Sequence, residues 1–194
     1  ITLKDLGQLD NAVESLNNAI AIDPNSVAAH YNLALTLTDL NHLDKAVKSY
    51  NKVIELNPNF VQAHNNLGNI YKDLEQSESA IQSYTKAIEI KPDFAHAHNN
   101  LGNAFKDLEN YKDAIKSYKK AIAINPNFSE AHNNLGNVFK DHGELGDAVK
   151  SYKKAVELNS DFAEAYYNLG NTYKKLNRKQ KALVFLEKAG AINL

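Results

Sequence analysis

The chain has 194 residues, 43% of them hydrophobic, with 22 Lys and Arg against 23 Asp and Glu. That balance supplies no overall field to recruit nucleic acid or an anionic membrane surface, and no apolar run approaches the roughly 20 residues that span a bilayer. Cysteine is absent, which excludes disulfides and thiolate metal sites and sets the expectation of a reducing, cytoplasmic setting.

The chain opens at Ile1 without a charged-then-apolar leader, so it reads as a piece of a longer protein. Residues 10–22 predict a lone helix with Ala12, Leu16 and Ala19 on one face and Pro24 beyond it. Gly7 stands where a turn is expected before that helix. A period of 34 residues then sets in. Ala-His-Asn-Asn-Leu-Gly-Asn at 63–69 recurs unchanged at 97–103 and 131–137, returns as Ala-Tyr-Tyr-Asn-Leu-Gly-Asn at 165–171, and has an eroded copy from Ala29. A fixed period of this size marks a solenoid whose units bury their apolar faces only by stacking. The expected organisation is a partial repeat at 1–24 holding a second helix only, full repeats at 25–58, 59–92, 93–126 and 127–160, and a terminal repeat at 161–194.

Each period predicts two helices. In the 59–92 copy Asn59 is the expected N-cap, after Pro58 has closed the preceding helix. Ala63, Leu67, Tyr71 and Leu74 share one helical face. A polar connection follows at 75–77; its first position holds Asn41, Gly143 and Asn177 elsewhere, residues suited to the left-handed conformation. Glu75 and Glu109 depart from that preference and predict slight strain or another cap. In the second helix Ala80, Ile81, Tyr84, Ala87 and Ile88 form the apolar face.

The offsets of His64, Leu67, Gly68, Tyr71, Ala80, Tyr84, Ala87 and Pro92 resemble those of the tetratricopeptide repeat (TPR) family. The copies beginning at His98 and His132 keep the pattern, with Ser160 replacing the proline. The resemblance covers essentially the whole chain and implies an all-α solenoid: antiparallel helix pairs in a right-handed superhelix, first helices lining the concave surface. It also implies a protein or peptide partner.

Catalytic, cofactor and metal sites are not expected. His30, His64, His98 and His132 sit one repeat apart, some 8–10 Å or more between packed helices, too far to share a zinc ion whose ligands each approach to about 2.1 Å; they are expected to fill grooves between helices. Ser83, Ser117 and Ser151 recur without a base in register and are expected framework. The glycines are singletons, forming no phosphate loop. Lys119 and Lys153 belong to solvated faces with acids interspersed.

The asparagines carry the binding expectation. With the repeat's leucine facing the core, Asn65 and Asn69 fall nearly opposite it and Asn66 lies at the border, with Lys72 beyond. The set repeats as Asn99, Asn100, Asn103 and Lys106, as Asn133, Asn134, Asn137 and Lys140, and as Asn168, Asn171 and Lys174; Asn32 is the counterpart in the first copy. Asparagine is a poor helix former, and its amide both donates and accepts, which suits an extended peptide backbone. Similar ladders hold peptide backbones in the TPR arrays of protein O-glycosyltransferases, as the resemblance implies; plain solvation of a polar face is the alternative. The two-carboxylate clamp of chaperone-binding TPRs is not expected, because Asn65, Asn99 and Gln62 occupy positions of its other cations.

The expected function is a non-enzymatic scaffold that binds a protein segment in the concave groove. A substrate-recruiting region of a larger enzyme, such as a protein glycosyltransferase, and a self-assembling structural module are the alternatives. The last is suggested by the ends. In the final repeat Val184 and Phe185 replace Lys150 and Ser151, at positions expected to avoid the core. Residues 1–60 carry four Lys against seven Asp and Glu (−3), whereas 163–194 carry six Lys and Arg against two Glu (+4). Weak end-to-end association through Val184 and Phe185 is expected.

Overall fold

The computed structural model describes residues 3–192, so Ile1 and Leu194, with the expectations attached to them, lie outside the described residues. Those described form eleven α-helices and no strand: α1 (Leu3–Ile22), α2 (Val27–Asp39), α3 (Leu43–Leu56), α4 (Val61–Asp73), α5 (Ser77–Ile90), α6 (Ala95–Asp107), α7 (Tyr111–Ile124), α8 (Ser129–Asp141), α9 (Leu145–Leu158), α10 (Ala163–Lys175) and α11 (Lys179–Ile192). Two compact units divide the chain: Ile1–Pro92 with α1 to α5, and Asp93–Leu194 with α6 to α11. Within each, consecutive helices pack on one another, and in the second unit α8 also touches α6 and α10. This is an all-α solenoid of helix pairs.

Each pair is locked by a tyrosine on its second helix. Tyr50 and Tyr84 in the first unit and Tyr118 and Tyr152 in the second are buried almost completely. Their rings lie over small residues of the first helix: a Cβ added at Gly68, Gly102 or Gly136 would come within 2.6 Å of the facing ring. Glycine there is a packing requirement.

The turn between the helices of a pair is a Schellman motif. At the first, the N–H of His42 donates to Leu37 O (2.8 Å) and that of Asn41 to Thr38 O (2.9 Å). Gln76, Asn110, Glu144 and Arg178 repeat the longer bond. The left-handed position falls at Asn41, Glu75, Glu109, Gly143 and Asn177. Both glutamates therefore adopt the conformation their neighbours favour, at the steric cost of a Cβ.

Two local expectations are revised. Gly7 is not at a turn, because α1 runs unbroken from Leu3; continuing the helix keeps the i→i−4 ladder intact where no described first helix packs ahead of it. Asn59 is not the N-cap of α4. Phe60 holds that position without a side-chain bond, while Asn57 Oδ1 accepts from the Asn59 N–H (3.2 Å) in an Asx turn across Pro58. The same turn forms at Asp23, Asn125 and Asn159. Ser49, Ser83, Ser117 and Ser151 are buried, and the first three donate to the carbonyl four residues back.

The recurring histidines fill the interhelical groove and also close the junction between repeats. Nε2 meets the carbonyl of the preceding proline for His30 (Pro24, 2.9 Å), His64 (Pro58, 2.9 Å) and His132 (Pro126, 3.2 Å). The last repeat changes both partners, to Tyr166 and Ser160.

Candidate peptide-binding face

The asparagine rows lie on the first helices α4, α6, α8 and α10. Their burial differs from the helical-wheel expectation. Asn65, Asn99 and Asn133 are buried, Asn133 to 2% exposure. For Asn99 and Asn133 a wheel with one core direction fails because first helices also touch one another, α8 meeting α6 and α10 as well as α9.

These amides form a relay between successive first helices. In the second unit Asn134 Nδ2 donates to Asn99 Oδ1 (3.1 Å), and Asn168 Nδ2 donates to Asn133 Oδ1 (3.3 Å). Asn133 Nδ2 and Asn168 Nδ2 also donate to Glu164 Oε1 (3.0 and 3.3 Å). Asn99 Nδ2 donates to Asn100 Oδ1 (3.4 Å), and in the first unit Asn65 Nδ2 to Asn66 Oδ1 (3.3 Å). Asn66 reaches Tyr31 Oη (3.2 Å) and Tyr50 Oη (3.4 Å). Buried amides require such partners, so this part of the row serves the stack.

The next asparagine along each helix meets the lock tyrosine. The hydroxyls of Tyr84, Tyr118 and Tyr152 donate to the Oδ1 atoms of Asn69, Asn103 and Asn137 (2.8, 2.7 and 2.7 Å). Burial, with Asp107 near Tyr118 and with Asp141 and Glu164 near Tyr152, pushes both phenols well above their ordinary range. They remain neutral donors. Asn32 and Asn69 are exposed, Lys72, Lys106 and Lys140 are half-buried, and Lys174 is exposed.

One part of the row stays open. In the second unit Lys140, Tyr167, Asn168, Asn171, Lys174 and Lys175 line a groove of about 550 Å³. Tyr167 is 57% exposed. Five of the six come from α10 and Lys140 from α8. Tyr167 and Lys175 fall in the same repeated set as these asparagines but differ in kind: Tyr167 stands where Asn65, Asn99 and Asn133 are buried (as Tyr31 does in the first copy), and Lys175 replaces the Asp of positions 39, 73, 107 and 141.

The two end residues part company. Val184 is 44% exposed, with Leu183 beside it at 51%. Phe185 is not free for a contact. It stacks on Tyr173 (centroids 5.6 Å apart) and Tyr166 (6.3 Å) and packs against the core of the second unit. Its counterparts Ser49, Ser83, Ser117 and Ser151 are buried, so the position faces inward in α3, α5, α7 and α9 as well.

A model described as TPR repeat matches residues 2–41, 35–74, 68–108, 102–143 and 136–177, and one described as tetratricopeptide repeat matches 163–193. The chain is a tetratricopeptide repeat protein. Among solved TPR-like structures, MamA is 27% identical, over 83% of this chain and 94% of that one, with a TM-score of 0.76. YrrB, described as a TPR protein with an unusual peptide-binding site, is 28% identical over 93% of both chains, with a TM-score of 0.72. BtubC from P. vanneervenii shares the fold at 19% identity, over all of this chain and 92% of that one, with a TM-score of 0.82. No curated protein sequence matches the chain. None of the described helices of this TPR protein is long and apolar enough to cross a membrane.

Proposed function

We propose that this TPR protein is a non-enzymatic interaction scaffold that receives an extended protein segment along its first-helix face. The observation that carries the reading is the open groove between α8 and α10. On α4, α6 and α8 the amides bond to neighbouring residues or to lock tyrosines; here an aromatic ring, the Asn171 amide and three lysines face an unfilled space. Such a mixture of apolar surface with a few placed polar groups suits ligand binding. The likeness to YrrB, itself a peptide-binding protein, supports the same reading. Its test is a display screen of random dodecamer peptides against the chain and against an Asn171→Ala, Lys174→Ala double variant. Enrichment on the first and its loss on the second is the expected result; no enrichment, or enrichment indifferent to the substitutions, sinks the proposal.

A second reading, end-to-end association of copies, is favoured by the exposed Leu183–Val184 pair beside a basic α11.

A further inference from the structure

Two departures peculiar to the last repeat and an exposed ring meet in one place. The first is Lys175, which stands where four earlier repeats place an aspartate. Leu186 stands where Tyr50, Tyr84, Tyr118 and Tyr152 stand. It fills the same space over Gly170, its Cγ 2.7 Å from an added Cβ, but brings no hydroxyl. Asn171, unlike Asn69, Asn103 and Asn137, therefore has no tyrosine donor and makes no side-chain hydrogen bond among the described residues. Tyr167, the ring, is 57% exposed where its counterparts Asn65, Asn99 and Asn133 are buried; the first copy also carries a tyrosine there, Tyr31, but that ring is half-buried. Each change opens the same groove: a cation replaces an anion, an amide loses its internal donor, and a ring becomes exposed.

We propose that this groove binds an acidic protein segment that carries an aromatic or large apolar side chain next to its carboxylates. The proposal rests on the segment-binding reading above and names its ligand class. Lys140, Lys174 and Lys175 line the groove without an acidic residue among its lining, and none forms an ion pair among the described residues. Glu164, on the same helix α10, already accepts from Asn133 and Asn168. Asp141, next to Lys140 in sequence, is exposed and leaves the three cations in excess. Lysine ammoniums bind carboxylates as point charges, the Asn171 amide adds a directed donor, and the Tyr167 ring offers the apolar surface that favours an aromatic neighbour.

Fluorescence anisotropy with a capped, fluorescein-labelled octapeptide, three glutamates around one phenylalanine, tests the assignment against the same peptide with glutamines. The acidic peptide should bind at least about tenfold tighter at low salt. Lys175→Asp should cost about tenfold or more and weaken the salt dependence, and Leu186→Tyr should cost several-fold by engaging Asn171. Both substitutions install residues that the earlier repeats already carry at these positions, and circular dichroism checks that the helices persist. Equal affinity for the two peptides, or affinity untouched by Lys175→Asp, overturns the proposal. So does tighter, Lys175-dependent binding of a single-stranded oligonucleotide or of phosphatidylserine vesicles. If the display screen instead returns neutral or basic peptides that depend on Asn171 and Lys174, the acidic assignment falls while the scaffold reading stands.

Discussion

At the scale of single residues, two glycines in similar helices should behave oppositely. Gly136 lies under the ring of Tyr152, and a Cβ there would meet Cε1 at 2.6 Å. The ring is completely buried and its hydroxyl is tied to Asn137, so it cannot step aside. Gly136→Ala should lower stability by about 1–3 kcal/mol, the usual cost of overpacking. Gly146, the second residue of α9, has open space around an added Cβ, and Gly146→Ala should raise stability by up to about 0.5 kcal/mol, since the first turn feels helix propensity less than the interior does. Urea denaturation of the two variants separates the effects. His132 gives a pH-dependent counterpart. Burial, with a smaller contribution from Lys154, holds its pKa below the ordinary value, partly opposed by the bond to Pro126. The unfolded chain then takes up the proton first. Stability from the neutral ring is complete above about pH 6.5 and is lost as pH falls through the lower folded pKa. His132→Tyr, the residue found at 166, should reduce the fall in thermal midpoint between pH 7 and pH 5; an unchanged slope would refute the assignment.

At the scale of helices, stacking in the second unit depends on the relay as well as on apolar burial. Asn133→Ala would remove both an acceptor for Asn168 and a donor to Glu164, at a position 2% exposed. It should destabilise by about 1–3 kcal/mol, because the partners remain and lose their bonds. Asn171→Ala touches no internal bond and should be neutral or slightly stabilising in the same denaturation assay, since alanine is the better helix former. Equal effects of the two would mean that the relay contributes nothing. The contrast also marks what the sequence could reveal. Period, helix pairing, buried tyrosines and small residues beneath them are legible because one local pattern repeats, and each copy reports the same apolar direction. The fate of the asparagines is not legible in that way. Adjacent positions such as Asn133 and Asn134 look alike in composition, and only the contact between neighbouring first helices buries one and bridges the other. The open groove was hidden for a different reason: it depends on positions where single copies depart from the shared pattern, Lys175 and Leu186 in the last repeat and Tyr167, which only Tyr31 matches.

At the scale of the whole molecule, the charge is nearly balanced in sum but divided along the sequence, with −3 over residues 1–60 and +4 over 163–194. A chain of this kind can lower its electrostatic energy by placing the basic α11 of one copy against the acidic first helices of another, a head-to-tail contact that does not close on itself. Exposed apolar surface is present on α11, at Leu183 and Val184. Lysine in place of Val184 is the discriminating change, since α9 carries Lys150 at the equivalent position with 81% of that side chain exposed. Phe185→Ser is a poor test: it would strip the stack on Tyr173 and Tyr166 and confuse instability with lost association. Sedimentation velocity of the chain should show association that grows with concentration and weakens as salt shortens the screening length from about 30 Å at 0.01 M to about 8 Å at 0.15 M. Val184→Lys should leave the chain monomeric with an unchanged helical circular dichroism spectrum. A wild-type chain that is monomeric at high concentration and low salt would eliminate the contact.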